Sequence, residues 1–497
     1  MLKQFFKDSF VYGLSNVISR GIALFLLPLY TRVFSPADYG VIDILTIVAT
    51  LVNLTVALEI SQGVIRHYAE ATSENERSRY VSTALWFSMV MYGLFVLVAL
   101  WASEPLNSWI LGPNSSRTVF QIAVLSVWST GIFYFLQNQL RAQLLPKYYA
   151  VSSILFTLVS TGTAVVLVIV FDSGVAGVFY GLLVGGIIGG AAAWYPARSN
   201  YKLTFDWHRC KELLSFSIPL VPAGIAVFVF LYIDRFAIKQ LMTLSDVGLF
   251  GVGFRFASVV GLLLFGFQRA LTALVYHNYK EATTPGELAK IFRYFLALTL
   301  PAIVGLALFS TELLRIFTTP AYYPAWRVIP LLAAAILLSN MYIFAPGLWI
   351  AKRTKSIAAI NIIAALLNTA LNFALIPLLG ISGAALATLM SAAVWFCLLM
   401  TLSQKLYFVP HQWTKIAVST AVALLLCLPG LWLGFGTELP PIVTVTIRLF
   451  LMVIGLSLLI WILVGPQEVK TLIKGLREMR TSVPDYTDTD RKAMHKR

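Results

Sequence analysis

The stretch FVYGLSNVISRGIALFLLPLYTR, residues 10–32, is apolar enough to cross a membrane and carries Arg20 near its middle. A second stretch, LFGVGFRFASVVGLLLFGFQRALTALVY at residues 249–276, holds Arg255 and Arg269. A charge at the bilayer centre costs about 3 kcal/mol on insertion scales, so such a side chain normally faces a water-filled cavity or a polar partner. Several cations of this kind predict a chamber that receives an anionic group.

Apolar stretches of similar length recur along the whole chain. Of its 497 residues, 59% are hydrophobic and 12% are charged, and about 20 apolar residues suffice to cross a bilayer. The first stretch is too long for a cleaved signal peptide, so we expect it to be the first span. The sequence predicts an all-α polytopic membrane protein with about fourteen transmembrane helices, at approximately residues 10–32, 40–65, 80–102, 119–140, 150–171, 175–196, 216–240, 248–275, 294–315, 328–350, 357–379, 381–403, 416–435 and 442–464.

The net charge of +15 is distributed unevenly between the two sides of these spans. Of the 37 lysines and arginines, the loops on the side opposite the termini hold only Arg32, Arg117 and Arg327. Because positive residues concentrate in cytoplasmic loops, we expect both termini in the cytoplasm. The basic surplus thus indicates topology and attraction to anionic lipid headgroups, and nucleic acid is not expected as a partner.

The chain repeats itself at an interval of about 208 residues. The segment Pro36–Gly40 after span 1 is echoed by Leu244–Gly248 after span 7, and Gly174–Val178 is echoed by Gly380–Ala384. Each unit holds six spans, so the two halves share one orientation and form a parallel repeat. Two such bundles facing each other across a cavity suit alternating-access transport. The predicted domains are an N-terminal six-helix bundle (1–200), a C-terminal six-helix bundle (201–410), transmembrane helices 13 and 14 (411–465) and a basic cytoplasmic tail (466–497).

Prolines and glycines add detail to these spans. Pro28 interrupts span 1, and Pro219 and Pro222 interrupt its counterpart, span 7, where they are expected to kink the helix. Glycines recur at every fourth position of residues 181–189. This small-xxx-small spacing favours close helix packing without a direct functional role.

Several function classes are disfavoured. The chain has no G-x-x-x-x-G-K-[ST] loop and no Gly-Lys pair, which argues against ATP hydrolysis. Its five histidines show no metal-ligand spacing. The longest external loop, about 103–118, is too short to carry a catalytic face. We therefore expect no enzyme activity, no catalytic residues, no metal and no cofactor.

The substrate-binding candidates are cations and one amide inside the spans. Asn16 lies one turn before Arg20, which makes a polar stripe on span 1. Arg255 and Arg269 are separated by roughly 21 Å along a helix and lie within about 40° of one face. Arg448 in span 14 is a further candidate, nearer the outer surface. A guanidinium stays charged and binds phosphate bidentately, which suits recognition of a diphosphate.

The remaining charges in the spans have two interpretations. Glu59 and Asp234 either pair with the arginines of the predicted cavity or serve in ion coupling. Arg235 can snorkel to the outer interface, and Asp43 lies near an outer helix end, so structural roles are favoured for these two residues.

The stretch from Asn16 to Gly40, which contains NVISR and LLPLYTRVFSPADYG, strongly resembles the Wzx-type polysaccharide flippases of the MATE-like MOP superfamily. The segment Ser217–Pro222, continuing through Asp234 and Arg235, is similar to the same family. The resemblance implies transport of a polyprenyl-diphosphate-linked oligosaccharide (an O-antigen, capsule or exopolysaccharide repeat unit) from the cytoplasmic to the periplasmic leaflet of the bacterial inner membrane. It implies membrane lipids, a polysaccharide polymerase and chain-length proteins as partners, and it places Arg20 in the cationic cavity.

Three alternatives remain open. A MATE-like cation-coupled multidrug antiporter shares the architecture, although buried arginines have the wrong sign for organic cations. A lipid II flippase also shares it, although the first-span pattern of those proteins is not seen here. The third alternative is a non-transporting scaffold for glycan assembly.

Overall fold

A computed structural model describes residues 21–22, 26–261, 268, 271–272, 275, 277–432 and 440–468. These residues form α-helices and short 3-10 helices, with no β-strand among them. The 3-10 helices are Tyr195–Asn200, Ile218–Leu220, Pro320–Arg327 and Met341–Phe344. In chain order the α-helices are α1 Leu27–Val33, α2 Pro36–Thr55, α3 Ile60–Glu70, α4 Glu74–Trp101, α5 Ser103–Ile110, α6 Arg117–Ala142, α7 Pro146–Ile169, α8 Gly174–Trp194, α9 Trp207–Ser217, α10 Val221–Leu241, α11 Leu244–Ala257, α12 Thr284–Phe317, α13 Ile329–Ser339, α14 Gly347–Ile350, α15 Thr354–Leu379, α16 Ile381–Leu406, α17 Trp413–Trp432 and α18 Pro441–Leu463.

Most of these helices have the length and hydropathy of membrane spans. In the described part of the chain, 12 helical segments are long and apolar enough to cross a bilayer, or up to 13 if the bent pair Pro320–Arg327 and Ile329–Ser339 forms one span. The prediction of an all-α polytopic membrane protein is therefore confirmed. The predicted first span, residues 10–32, lies largely outside the described residues, so the count of fourteen stays a prediction.

Two of the predicted spans break close to one of their ends. Span 2, predicted over residues 40–65, is wrong as one helix, because α2 ends at Thr55 and α3 begins at Ile60. Between them Leu58 and Glu59 have φ of 50° and 54°, the left-handed region that side chains other than glycine disfavour. Span 7 is interrupted by the 3-10 turn Ile218–Leu220, where Pro219 lacks the N–H that a continuous helix requires.

Span 10, predicted over residues 328–350, is also not one helix. Helix α13 ends at Ser339, and a 3-10 turn at Met341–Phe344 separates it from the short helix α14. Pro346 directly precedes α14, and Asn340 lies at the break. The break leaves backbone carbonyls without helical partners, and the side chain of Gln268 donates to the Asn340 carbonyl at 2.8 Å.

The glycine stripe of α8 packs tightly against α7. A Cβ at Gly185 would lie 2.5 Å from the Ser160 Cβ, and one at Gly189 would lie 2.8 Å from the Phe156 Cβ. Both distances are too short for real carbon contacts, so only glycine allows this approach of the two helices. The predicted packing role of residues 181–189 is confirmed.

The sequence repeat at Pro36–Gly40 and Leu244–Gly248 appears as two matching helix starts. Ser35 caps α2 and Thr243 caps α11, and each forms a capping box with an aspartate three residues later. The two helix starts cross each other closely. A Cβ at Gly40 would collide with the Leu244 carbonyl oxygen, and a Cβ at Gly248 would collide with the Pro36 carbonyl oxygen. We call this reciprocal contact the glycine crossing.

The chain divides into two compact units. The first comprises Met1–Asn278 and Phe309–Phe408, and the second comprises Tyr279–Leu308 and Val409–Arg497. The predicted boundary at residue 200 between two six-helix bundles falls inside the first unit and stays a prediction.

The second unit contains the first part of α12 together with α17 and α18. Gly430 of α17 lies against the backbone of Ala307, where a Cβ would be 2.5 Å from the carbonyl oxygen. Beyond α18, Glu468 accepts hydrogen bonds from Arg293 at 3.1 Å and from the Tyr294 hydroxyl at 3.0 Å. Burial by itself raises the pKa of Glu468, but these two hydrogen bonds and the Arg293 charge outweigh it and hold the pKa below its usual range.

Candidate functional site

Arg255 lies at the wall of a cavity of about 640 Å³ inside the first unit, within the size range of small-molecule sites. Helix α11 brings Arg255 to this wall, and α10 contributes Tyr232. The helix break after α13 contributes Asn340, and Gln268 lies beside it. The remaining wall is largely apolar. We call this space the Arg255 cavity.

The Arg255 side chain is half-buried and forms no ion pair with a described residue, although the Asp43 carboxylate of α2 is near enough to attract its charge. Its guanidinium carbon lies 5.0 Å from the centre of the Tyr39 ring, the geometry of a cation–π contact. Among the residues that the structure describes, no carboxylate lies within 4 Å of it. A half-buried guanidinium in apolar surroundings gains strongly from an anion, because screening by water is weaker there than at the surface.

Asp234 is paired with its sequence neighbour. The Arg235 guanidinium donates to the two Asp234 carboxylate oxygens at 2.8 and 2.9 Å, and its Nε lies 3.7 Å from the Asp43 carboxylate of α2. The side chains of Asp234 and Arg235 are 0% and 3% exposed. The prediction that Arg235 snorkels to the outer interface is therefore wrong, because two carboxylates hold its charge in the protein interior. The pairing of Asp234 with Arg255 is likewise not seen.

The cluster of Asp43, Asp234 and Arg235 packs against aromatic rings and borders the Arg255 cavity. The Arg235 guanidinium carbon lies 4.3 Å from the centre of the Phe254 ring and 4.8 Å from that of Phe250, both on α11. Thr388 of α16, which lines the Arg255 cavity, donates to Asp234 at 3.3 Å. The cluster thus ties α2, α10, α11 and α16 together beside the cavity.

Glu59 lies at the wall of a second cavity of the first unit, of about 650 Å³. Residues of α2, α3, α4, α6 and α10 line it together with the segment between α2 and α3. Leu231 and Tyr232 border both cavities, which are therefore neighbours. Consecutive left-handed residues such as Leu58 and Glu59 cost roughly 1–3 kcal/mol each and occur most often at functional sites. We call this space the Glu59 cavity.

The other predicted site residues differ in what the structure says of them. Arg20, Asn16 and Arg269 lie outside the described residues, so their predicted roles stay predictions. Arg448 of α18 is 1% exposed and lines neither cavity, so its substrate role has no support from the described geometry. No group of three metal-binding side chains capable of holding an ion occurs among the described residues.

Sequence reasoning missed several polar residues of the two cavities. Asn340 was unremarkable within a predicted continuous span, and only the break after Ser339 exposes its role in the Arg255 cavity. Asn53 and Asn138 lie in separate predicted spans, and only the folded chain places both at the wall of the Glu59 cavity. The available signal is a polar amide inside a predicted span, because such a group usually faces the protein interior or a water-filled cavity.

Comparisons with known proteins relate this chain to glycan and polysaccharide biosynthesis. A family model described as polysaccharide biosynthesis protein matches residues 29–327, more than half of the chain. The probable low-salt glycan biosynthesis flippase Agl15 of Haloferax volcanii is 21% identical over 445 residues, which cover 87% of this chain and 90% of that relative. The Lsg locus putative protein 1 of Haemophilus influenzae is 22% identical over 286 residues, which cover 56% of this chain and 67% of that relative.

Solved structures share the fold. The lipid II flippase MurJ in its inward closed conformation superposes with a TM-score of 0.70 at 16% identity, covering 91% of this chain and 99% of that one. An inward-facing multidrug resistance transporter of the MATE family in the MOP superfamily superposes with a TM-score of 0.60 at 13% identity, covering 80% and 95%. These identities show the MATE-like fold alone. With the family match over residues 29–327, the chain belongs to the polysaccharide biosynthesis protein family, and its resemblance to the Wzx-type flippases is confirmed.

Proposed function

We propose that this protein is a flippase that moves a polyprenyl-diphosphate-linked oligosaccharide across the bacterial inner membrane, from the cytoplasmic to the periplasmic leaflet. The oligosaccharide would be an O-antigen, capsule or exopolysaccharide repeat unit. The observation that carries the proposal is the half-buried Arg255, which faces a cavity of about 640 Å³ with no carboxylate of the described residues within 4 Å.

The chemistry of Arg255 suits the diphosphate of such a lipid. A planar guanidinium can donate two parallel hydrogen bonds to phosphate oxygens and carries a positive charge that attracts them. The apolar wall of the cavity, formed in part by Val259 and Leu332, weakens screening and strengthens this attraction. Arg20, Asn16 and Arg269 are proposed to add to the same cationic surface, and Arg448 remains a weaker candidate. The prenyl chain would stay in the surrounding lipid.

The glycine crossing supports an alternating-access mechanism. With both termini in the cytoplasm, as the distribution of lysine and arginine predicts, the starts of α2 and α11 lie on the periplasmic side. Contact between Gly40 and Gly248 would then close the outer side, and separation of the two helix starts would open it. Asp43 and Asp234 hold Arg235 near this point, so the cluster would couple the movement of α2 to that of α10 and α11. Glu59 and Asp234 remain the proposed residues for ion coupling.

The proposed setting is that of a polysaccharide assembly system. A polymerase and chain-length proteins would act on the product in the periplasm. The names of the relatives support transport in glycan biosynthesis, since one of them is a probable glycan biosynthesis flippase.

The rival transporters predict different behaviour. A multidrug antiporter takes organic cations, which an arginine without a close carboxylate repels, and it would protect an expressing strain against drugs. A lipid II flippase would change peptidoglycan precursors. We expect no drug protection and no change in peptidoglycan precursors.

The proposal is tested by complementation of a deletion strain of the source organism. The readout is the lipid-linked oligosaccharide that accumulates on the cytoplasmic leaflet. Arg255→Gln is expected to restore transport poorly, because loss of charge-assisted hydrogen bonds weakens phosphate binding by about 10- to 150-fold. Arg255→Lys keeps the charge without the planar fork and should give an intermediate result.

The matched control is Arg327→Gln, which removes an exposed arginine from outside both cavities. It should restore transport fully at equal expression. Full restoration by Arg255→Gln as well would overturn the role of Arg255, and absence of any lipid-linked oligosaccharide in the deletion strain would overturn the proposed function.

A further inference from the structure

We propose that the Glu59 cavity is the subsite that binds the first sugars of the lipid-linked substrate, while the Arg255 cavity binds its diphosphate. This inference rests on the proposed function and divides the substrate headgroup between two neighbouring spaces. It assigns to Glu59, Asn53 and Asn138 the recognition of sugar hydroxyls.

The polar groups of this cavity suit neutral, hydroxylated ligands. The buried Tyr92 hydroxyl donates to the Asn53 side-chain oxygen at 2.9 Å, which orients that amide and leaves its N–H groups without an acceptor among the described residues. The Asn138 side chain has no hydrogen bond within the described part of the chain. The amides can donate to and accept from adjacent hydroxyl groups, and the carboxylate can accept from them, which matches the hydrogen-bonding groups that a pyranose ring presents.

The Glu59 carboxylate interacts with the Gln62 side chain of α3, which lines the same cavity, and has no ion-pair partner among the described residues. Glu59 occupies the position that caps α3, yet its side chain accepts no capping hydrogen bond from that helix. No lysine, arginine or histidine among the described residues lies within 4 Å of it. The left-handed backbone at Leu58 and Glu59 nevertheless holds it at the cavity wall. An acidic side chain kept there at a conformational cost indicates a ligand-binding role.

Aromatic side chains supply the second element of a sugar site. Tyr134, Phe228 and Tyr232 line the same cavity. Their flat faces can cover the apolar C–H face of a pyranose while the amides bind its rim, since aromatic rings combine a large contact area with few rotatable bonds. The cavity volume of about 650 Å³ allows more than one small ring.

The charges of the residues that line the two cavities determine the orientation of the substrate. No lysine or arginine of the described residues lines the Glu59 cavity, and its one carboxylate repels a diphosphate. The charged residue that lines the Arg255 cavity is instead the positive Arg255. Because Leu231 and Tyr232 border both, a headgroup lying across them would place its phosphates beside Arg255 and its sugars beside Glu59.

The test compares the binding of two lipids to the purified full-length protein in nanodiscs. The probes are undecaprenyl diphosphate and the lipid-linked oligosaccharide extracted from the deletion strain, and native mass spectrometry gives both dissociation constants. The wild type should bind the glycosylated lipid more tightly. Glu59→Gln should reduce this preference by about tenfold or more and leave the affinity for undecaprenyl diphosphate unchanged. Arg255→Gln should weaken the binding of both lipids equally.

The control is Glu70→Gln, which removes an exposed carboxylate from the end of α3 and should leave the preference unchanged. If Glu59→Gln does not fold, Asn138→Ala is measured instead, with the same expected loss. Equal binding of both lipids by the wild type, or an unchanged preference in the folded Glu59 or Asn138 variant, overturns the sugar subsite and leaves the flippase proposal standing. Failure of the wild type to bind either lipid overturns the proposed function itself.

Discussion

A single methyl group added at the glycine crossing should shift the balance between the closed and open states. In Gly248→Ala, the new Cβ would collide with the Pro36 carbonyl oxygen and lie only 3.0 Å from the Gly40 nitrogen. Both are backbone atoms, so the contact cannot be relieved by a side-chain rotation, and overpacking of this kind costs about 1–3 kcal/mol. The cost applies only while α2 and α11 touch. The closed state should therefore lose population by about 5- to 150-fold relative to the open state.

The distance between the ends of α1 and α10, which directly precede α2 and α11, reports this change. Spin labels at Val33 and Leu241, which are 45% and 40% exposed, would flank the crossing without disturbing either capping box. Double electron–electron resonance on the protein in nanodiscs should show a longer mean separation in Gly248→Ala than in the parent. Gly40→Ala should produce the same shift, because the contact is reciprocal.

The matched control is Gly93→Ala in α4, where a Cβ would meet no atom within 4 Å. This change should leave the distance distribution unaltered. Unchanged distributions in both Gly40→Ala and Gly248→Ala, with the variants folded and inserted, would refute the idea that the crossing is a gate.

Two further predictions concern stability. Asp234→Asn leaves the buried Arg235 with Asp43 as its remaining carboxylate partner in the described cluster, so we expect the free energy of unfolding to fall by about 3–5 kcal/mol and the Tm to be lower. Asp234→Asn combined with Arg235→Met should recover much of this loss. Equal Tm values for the wild type and Asp234→Asn would contradict this account. Because the folded-state pKa of Glu468 lies below its usual value near 4.5, its interaction with Arg293 stabilises fully above about pH 4.5 and is lost as the pH falls through the folded pKa. Thermal unfolding of Glu468→Gln should accordingly depend less on pH in this acidic range, and identical pH profiles would exclude the effect.

The features that follow from local sequence were predictable. The helical spans follow from hydropathy alone, and the similarity of Pro36–Gly40 to Leu244–Gly248 corresponds to two capping boxes with the same geometry. The 3-10 turn at Pro219 follows from the missing N–H of proline. The arginine at position 255 lines a cavity, as a charge inside a span is expected to do.

Features that depend on tertiary contacts were not predictable. Asp234 and Arg235 are adjacent in sequence, and adjacent residues of a helix do not normally face each other. Their pairing depends on Asp43 of α2 and on the rings of α11, which only the folded chain brings together. The left-handed break at Leu58 and Glu59 contains neither glycine nor proline, so no local signal marks it.

Transport by the purified protein in liposomes tests the central claim most directly. Proteoliposomes loaded with the extracted lipid-linked oligosaccharide would be probed with a lectin or glycosidase that reaches only the outer leaflet. We expect the wild type and Arg327→Gln to move the lipid between leaflets, and Arg255→Gln to do so at least about tenfold more slowly. Equal rates for Arg255→Gln and the wild type would contradict the claim that this guanidinium binds the diphosphate during transport.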